Sequence, residues 1–374
     1  MVRRRGWRAA PVAAALALAA CSRGEAADGA PVQAPVLAVQ GWSLEPAARV
    51  GGPDAGEQEQ LYTVTSVAED AQGRFYVANF GDKRILAFDS AGTYLRTIGR
   101  GGRGPGEFTA PRALAPVGDD GLLVLDLVPG RISRFRRSDG QHVADAKLAD
   151  EAGIPVDLRA TAAGTAIVEF RPRPQSGVQA PAYLARVDTA TGAVDRAGAV
   201  TLDTVARARV NGKTEKGKMS VTIDVPFAPR PVWAVQEDGA VLYGTGARFE
   251  VSRAAGGKVE TAFRGAGEPR AVTARDRDGF FADPNAEQFR GEVVFPRTHP
   301  FYSAMHTDAA GTVWLRVVAE RGERWEVRDA AGTVRGTFAL PEGSRLVHAS
   351  RGSVYVLTKD ADDVETLHRY RVRR

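Results

Sequence analysis

The stretch Gly73-Arg74-Phe75-Tyr76-Val77-Ala78-Asn79-Phe80-Gly81-Asp82-Lys83-Arg84-Ile85-Leu86-Ala87-Phe88-Asp89-Ser90-Ala91-Gly92 decides the fold. It opens on a glycine turn, runs through an apolar strand, crosses a short polar loop, continues in a second strand and ends on another glycine turn. The same order recurs along the chain. A glycine in a polar turn precedes an apolar strand at Gly73, Gly121, Gly164, Gly239, Gly311 and Gly352. Three of the five gaps between these glycines are roughly 41 to 48 residues, the length of one propeller blade, and the other two are stretched by insertions. A second turn follows at Gly92, Gly140, Gly192, Gly257 and Gly332, and an alternating strand lies between each pair, as in Arg131-Ile132-Ser133-Arg134-Phe135 and Arg324-Trp325-Glu326-Val327. Each unit therefore reads as four strands running outward from a central channel, and six units predict an all-β, six-bladed propeller of four-stranded blades.

The sixth unit ends after its third strand, Thr366 to Val372, which leaves an edge that closed propellers avoid. The segment Val36 to Trp42 has strand character and no blade of its own, so it is expected to pair with that strand and close the ring. Three insertions interrupt the repeat. They are the loop from Arg171 to Ala182 in blade three, the link from Asp203 to Pro226 between blades three and four, and the link from Glu268 to Pro300 between blades four and five. The last carries Thr273-x-x-Asp276, a helix cap that predicts a short helix. Links between blades and the loops joining second to third strands emerge on one face of a propeller, so all three insertions are expected over one channel mouth. The charged run Lys213 to Lys218 reads as a solvated loop.

The first blade, with Gly73, Tyr76-Val77, Asp82-Lys83-Arg84-Ile85 and Phe88-Asp89-x-x-Gly92, resembles the six-bladed propellers related to NHL repeats, as found in bacterial lipoproteins. The linker Gly99-Arg100-Gly101-Gly102-Arg103-Gly104-Pro105-Gly106-Glu107-Phe108 is similar to the glycine-rich junction of that group. The resemblance covers about residues 36 to 374 and implies a fold that hosts binding modules and enzymes alike.

Arg3, Arg4, Arg5 and Arg8 precede the apolar run Ala9 to Ala20, the order of a secretory signal. The run ends in Leu18-Ala19-Ala20-Cys21, which resembles the lipobox of bacterial lipoproteins. The expected organisation is a signal peptide over 1–20, a flexible tether over 21–34 and the propeller over 35–374, with Cys21 carrying the lipid that holds the protein to the membrane of the cell envelope. Cys21 is the single cysteine, so no internal disulfide and no thiolate metal site can form. Four charges of the net +5 are the leading arginines, and the near-neutral remainder excludes a nucleic-acid footprint.

Gly99 to Gly104 spells G-x-G-x-x-G, but no helix N-terminus follows to hold a pyrophosphate, and an inter-blade turn is the reading taken. The residues predict no cofactor and no metal set. His306 and His348 both fall on innermost strands of adjacent blades, where Ala68, Pro116 and Ala234 are the counterparts elsewhere. Arg112 and Arg230 lie nine residues before a turn glycine, at the beginning of an innermost strand; Tyr302 holds that register in blade five and Arg345 is close to it in blade six. Such residues would ring one channel mouth and attract an anion. The leading reading is a non-catalytic binding module whose ligand or protein partner, anionic in chemistry, docks at Arg112, Arg230, Tyr302, Arg345, His306 and His348. The alternative is a metal-dependent hydrolase or lyase, lactonase-like, acting in the channel; a passive structural lipoprotein is the third.

Overall fold

The computed structural model describes residues 43–161, 165–173, 180–214, 217–308, 310–319, 322–350 and 352–373. The signal segment, Cys21, the tether, the segment 36–42, Gly164 and residues 174–179 of the blade-three insertion lie outside them.

The first strand, β1 (Ser43–Gly51), belongs to the last blade. Blade one is β2 (Val64–Glu69), β3 (Phe75–Asn79), β4 (Arg84–Phe88) and β5 (Tyr94–Ile98), followed by two short parallel strands, β6 (Arg100–Gly101) and β7 (Glu107–Phe108). Blade two is β8 (Pro111–Val117), β9 (Gly121–Asp126), β10 (Arg131–Arg136) and β11 (His142–Lys147); blade three is β12 (Ile154–Ala160), β13 (Ala166–Arg171), β14 (Tyr183–Val187) and β15 (Val194–Thr201). A hairpin of β16 (Arg207–Thr214) and β17 (Gly217–Asp224) precedes blade four, β18 (Val232–Val235), β19 (Val241–Gly244), β20 (Glu250–Ala255) and β21 (Lys258–Arg264). Two helices, α1 (Ala274–Phe281) and α2 (Pro284–Glu287), lead into blade five, β22 (Tyr302–Thr307), β23 (Val313–Ala319), β24 (Gly322–Arg328) and β25 (Val334–Phe338). Blade six is β26 (Arg345–Ala349), β27 (Ser353–Lys359), β28 (Glu365–Arg373) and, outermost, β1. The innermost strands touch in the cycle β2, β8, β12, β18, β22, β26 and back to β2, so the six blades surround one axis.

The repeat's chemistry explains its recurrence. In the turn between β2 and β3, Asp70 Oδ1 accepts from the backbone N–H groups of Gln72 and Arg74, and Gly73 takes φ 77°, which a side chain would resist. Asp308 and Asp329 hold their turns in the same way. Apolar residues from facing blades then bury one another. Each of the six seams carries its own cluster, for example Phe75, Phe88 and Tyr355 between blades six and one, and Phe170, Leu125 and Val168 between blades two and three.

Two expectations are corrected here. The edge of β28, where Val36 to Trp42 was expected, is taken by Ser43–Gly51, with Leu44 opposite Val372 and Gly51 opposite Thr366. The ring is closed by an N-terminal strand as expected, but by the next one along. Its sequence, SLEPAARVG, lacks apolar alternation because an outermost strand is half solvated, and Pro46 is tolerated beside a bulge on that edge. Within the charged run expected as a loop, Lys213 and Thr214 are instead strand residues opposite Lys218 and Gly217, while residues 215 and 216 lie outside the described residues.

Candidate functional site

Antiparallel connection places the beginning of every innermost strand, every inter-blade link and every loop joining second to third strands on one face. The insertions therefore emerge there, and two of them pack on each other. Val210 and Ile223 of the hairpin bury against Phe289, and Asn211 Nδ2 donates to Glu292 Oε2 at 3.2 Å. Phe227, just after the hairpin, stacks on Phe295 and packs edge-on against Phe280 and at a tilt against His299 of the other insertion. α1 begins with the expected cap: Thr273 Oγ1 accepts from the Asp276 N–H and Asp276 returns the bond to the Thr273 N–H. Arg270 grips the same carboxylate at 2.8 and 3.0 Å and holds Asp276 well below the usual carboxylate range despite its partial burial.

The expected mouth residues separate. Arg112 is exposed at a bulge in β8 and makes no ion pair among the described residues. Arg230 is also exposed and lies 3.6 Å from Asp224, at the foot of the hairpin. Arg345 donates to the Val64 carbonyl at 2.7 Å, tying blade six to blade one. Tyr302 is a correction. It is fully buried between blades four and five, packs on Phe249 and donates its hydroxyl to the Glu250 carbonyl at 2.5 Å. Burial pushes that hydroxyl's pKa up to about 12. The cause is register. Gly121 pairs with Val117 as the first residue of β9, whereas Gly311 stands inside its turn, so counting from the two glycines slips by one residue and turns the side chain to the other face. The counterpart of Arg112 in blade five is Ser303.

The same correction builds a cluster in the channel. In five blades a backbone N–H closes the first turn, that of Asp70, Thr161, Gln236, Asp308 or Ser350, and in blade two the Val117–Gly121 pair stands in its place. Two residues before each come Ala68, Ala115, Arg159, Ala234, His306 and His348. Ala115, not Pro116, is thus the blade-two member. Arg159 was missed by sequence reasoning, although it stands as far before Gly164 as His306 stands before Gly311. Both imidazoles are enclosed by protein yet partly accessible, as befits side chains in a narrow axial channel. Burial first, then the charge of Arg159, pushes each histidine's pKa down to about 3, so both are neutral at pH 7. Arg159 lies with its guanidinium 5.3 Å from the Trp233 ring and donates through Nη1 to Asp157 Oδ1 and, at 2.8 Å, to the Leu158 carbonyl.

The glycine-rich linker holds an anion of its own. Glu107 accepts from the N–H groups of Arg103 and Gly104 and from Arg100 Nε, which keeps its carboxyl below the usual range. Arg131 Nη2 donates to the Gly104 carbonyl. The loop is an inter-blade strap closed on an internal carboxylate. Among the described residues no group of three or more His, Cys, Asp or Glu side chains stands together to hold a metal ion.

Fold and channel together define a six-bladed β-propeller. Residues 57–194, from blade one to the third strand of blade three, match the family model described as a 6-bladed beta-propeller, so the family resemblance holds at the level of propellers. No curated protein matches the chain in sequence. An exported protein of Bacteroides fragilis superposes with TM-score 0.51 at 9% identity, covering 90% of this chain and 96% of that one. A Bacteroides vulgatus structure from a family of undefined function does so with TM-score 0.51 at 12% identity, covering 90% and 98%. A gluconolactonase of Xanthomonas campestris follows at TM-score 0.47 and 13% identity, covering 91% and 100%. At such identities the likeness is one of fold.

Proposed function

We propose that the protein is a binding module of the cell envelope, lipid-anchored through Cys21, that takes an anionic ligand or partner on the face where the innermost strands begin, without catalysing its turnover. The observation that carries this reading is the packing of the hairpin insertion on the helical one at that face, with Arg230 at the hairpin's foot and Arg112 exposed on β8. Repeats place their variable segments where they bind, since the blades themselves cannot change without losing their seams. Export is supported by the charged-then-apolar leader and agrees with the description of the Bacteroides fragilis structure as an exported protein. The reading favours binding over metal-assisted hydrolysis because Arg159 puts a positive charge beside both channel histidines, which repels a cation they would otherwise ligate.

A thermal-shift screen of carboxylates and phosphates on the Cys21→Ser chain tests it. A ligand at 100 times its Kd adds about 2.7 kcal/mol of stability. That gain is expected to disappear when Arg112 and Arg230 are both replaced by Ala, and the ligand is expected to be recovered unaltered. A hit that survives both replacements, or that is converted to product, overturns the reading. The Cys21→Ser chain is also expected to leave the membrane fraction on washing, whereas the parent chain stays.

A further inference from the structure

We propose that Arg159, His306 and His348 form an anion-binding site on the propeller axis that holds the carboxylate of a small organic acid. The inference rests on the reading of the protein as a binder of an anionic ligand and locates where the ligand's charge sits.

Topology supplies the convergence. The three residues occupy one register on β12, β22 and β26, strands that line a single channel, and blades three and six stand opposite each other in the ring. The remaining members of that register, Ala68, Ala115 and Ala234, are buried in the seams and bring no polar group to compete with the three long side chains. Proximity is felt electrostatically, since the charge of Arg159 acts on both imidazoles and His348 acts on His306.

The polar atoms are available. Neither imidazole hydrogen-bonds to a described residue, and both residues are partly accessible, so ring nitrogens are open to a ligand. The His306 ring is braced 5.7 Å from Trp325 and the His348 ring 5.6 Å from Tyr355. Arg159 commits Nη1 to Asp157 and to the Leu158 carbonyl, and Trp233 fixes the guanidinium plane, so the opposite edge of the fork remains open to a ligand. Its side chain is 36% exposed. A neutral imidazole offers one N–H, and two of them with a guanidinium supply the donors and the charge that a carboxylate needs. Asp157 orients Arg159 and moderates its charge, which suits a single carboxylate better than a phosphate dianion.

The experiment titrates the full chain carrying Cys21→Ser with benzoate, against sodium chloride at equal ionic strength, and follows histidine side-chain NMR signals. Signals of His306 and His348, assigned through His306→Gln and His348→Gln, are expected to shift saturably with benzoate and not with chloride, while those of His142 and His299 stay in place. Arg159→Gln is expected to weaken the response at least about tenfold. Arg264→Gln, at an exposed arginine on the outermost strand of blade four, is expected to leave it unchanged. Failure of either ring to shift up to about 10 mM benzoate overturns the proposal. So does an equal response to chloride. Should Arg159→Gln fail to fold, the parent titration decides alone. Shifting rings beside a screened ligand indifferent to the Arg112 and Arg230 changes would support the channel site and sink the docking face.

Discussion

Two acidic residues at the first turn of blade one, Glu69 and Asp70, join it to both neighbours. Glu69 Oε1 accepts from Arg369 Nη2 of blade six at 2.7 Å and from Ser353 Oγ at 3.2 Å, while Ser350 Oγ donates to its other oxygen. Asp70 Oδ2 forms an ion pair with Arg137 Nη1 of blade two at 3.0 Å and accepts from the Tyr76 hydroxyl at 3.0 Å. Both side chains of the Glu69–Arg369 pair are 8% exposed. Removing one partner from a buried pair costs about 3 to 5 kcal/mol, because the other charge is left desolvated. Arg369→Met is therefore expected to lower unfolding free energy by about 3 kcal/mol in urea, and adding Glu69→Gln to recover part of the loss; equal stability of Arg369→Met and the parent would refute the clamp. A second consequence concerns pH. His368 is 1% exposed, accepts or shares a bond with Thr358 Oγ1 at 3.0 Å, and its pKa is pushed down to about 4 by burial and then by Arg49. The unfolded chain takes up this proton near pH 6.5 and the folded chain only near 4, so stability is present above about pH 6.5 and falls as pH drops toward 4. His306 and His348 act in the same sense. Lowered carboxylates such as Asp89 add their own loss only below about pH 4. The melting temperature is expected to fall between pH 6.5 and 4.5, and less steeply in His368→Gln; a flat profile for the parent chain would contradict the burial of these rings.

At the scale of elements, what was legible is what the repeat enforces. Strands buried on both faces must be apolar, and turns such as those at Gly73 and Gly311 favour glycine at positive φ, so β3, β9, β23 and β27 announce themselves. The closing strand does not, since only Val50 of β1 is buried and the rest asks little of its sequence. The more apolar Val36 to Trp42 drew the assignment for that reason. The hairpin of β16 and β17 escaped notice because its strands carry charge to their ends and bury little beyond Val210 and Ile223. Site residues were harder still. Tyr302 was misplaced by one residue of register, and Arg159 passed unnoticed because a charged residue on an innermost strand looks like any other departure from the repeat. Closure by β1 gives a direct test. A chain beginning at Ser43 keeps every backbone bond to β28, from Leu44 opposite Val372 to Gly51 opposite Thr366. A chain beginning at Gly52 loses them all and exposes the β28 edge to other molecules. The first is expected to melt with the parent chain, the second to unfold at lower denaturant and aggregate. Matching transitions for the two truncations would remove β1 from the ring's closure.

For the whole molecule, six seams share the labour of stability, and function is carried by what departs from the repeat. The channel register departs from alanine in three of six blades, and the lid made by the packed hairpin and helices departs from the repeat in two links. These departures lie on one molecule for a physical reason: blades hold each other through their apolar faces, so the links and the axis are the places where sequence can vary without breaking a seam. The lid's two halves meet where Gly212 of the hairpin faces Phe289. A Cβ placed at Gly212 would stand 2.5 Å from Phe289 Cε1, so Gly212→Val must push the two insertions apart. Overpacking of this kind costs about 1 to 3 kcal/mol, and here that cost falls on the lid alone, since Val210, Ile223 and Phe289 form a cluster separate from every seam. The melting transition of the propeller is therefore expected to stay close to the parent's, while limited proteolysis within 203–226 and 268–300 speeds up several-fold. If the variant melted early with its cleavage pattern unchanged, the insertions would be part of the propeller's core. Parent-like cleavage and melting together would mean that the hairpin and helices do not hold each other, and the shared docking face would lose its basis.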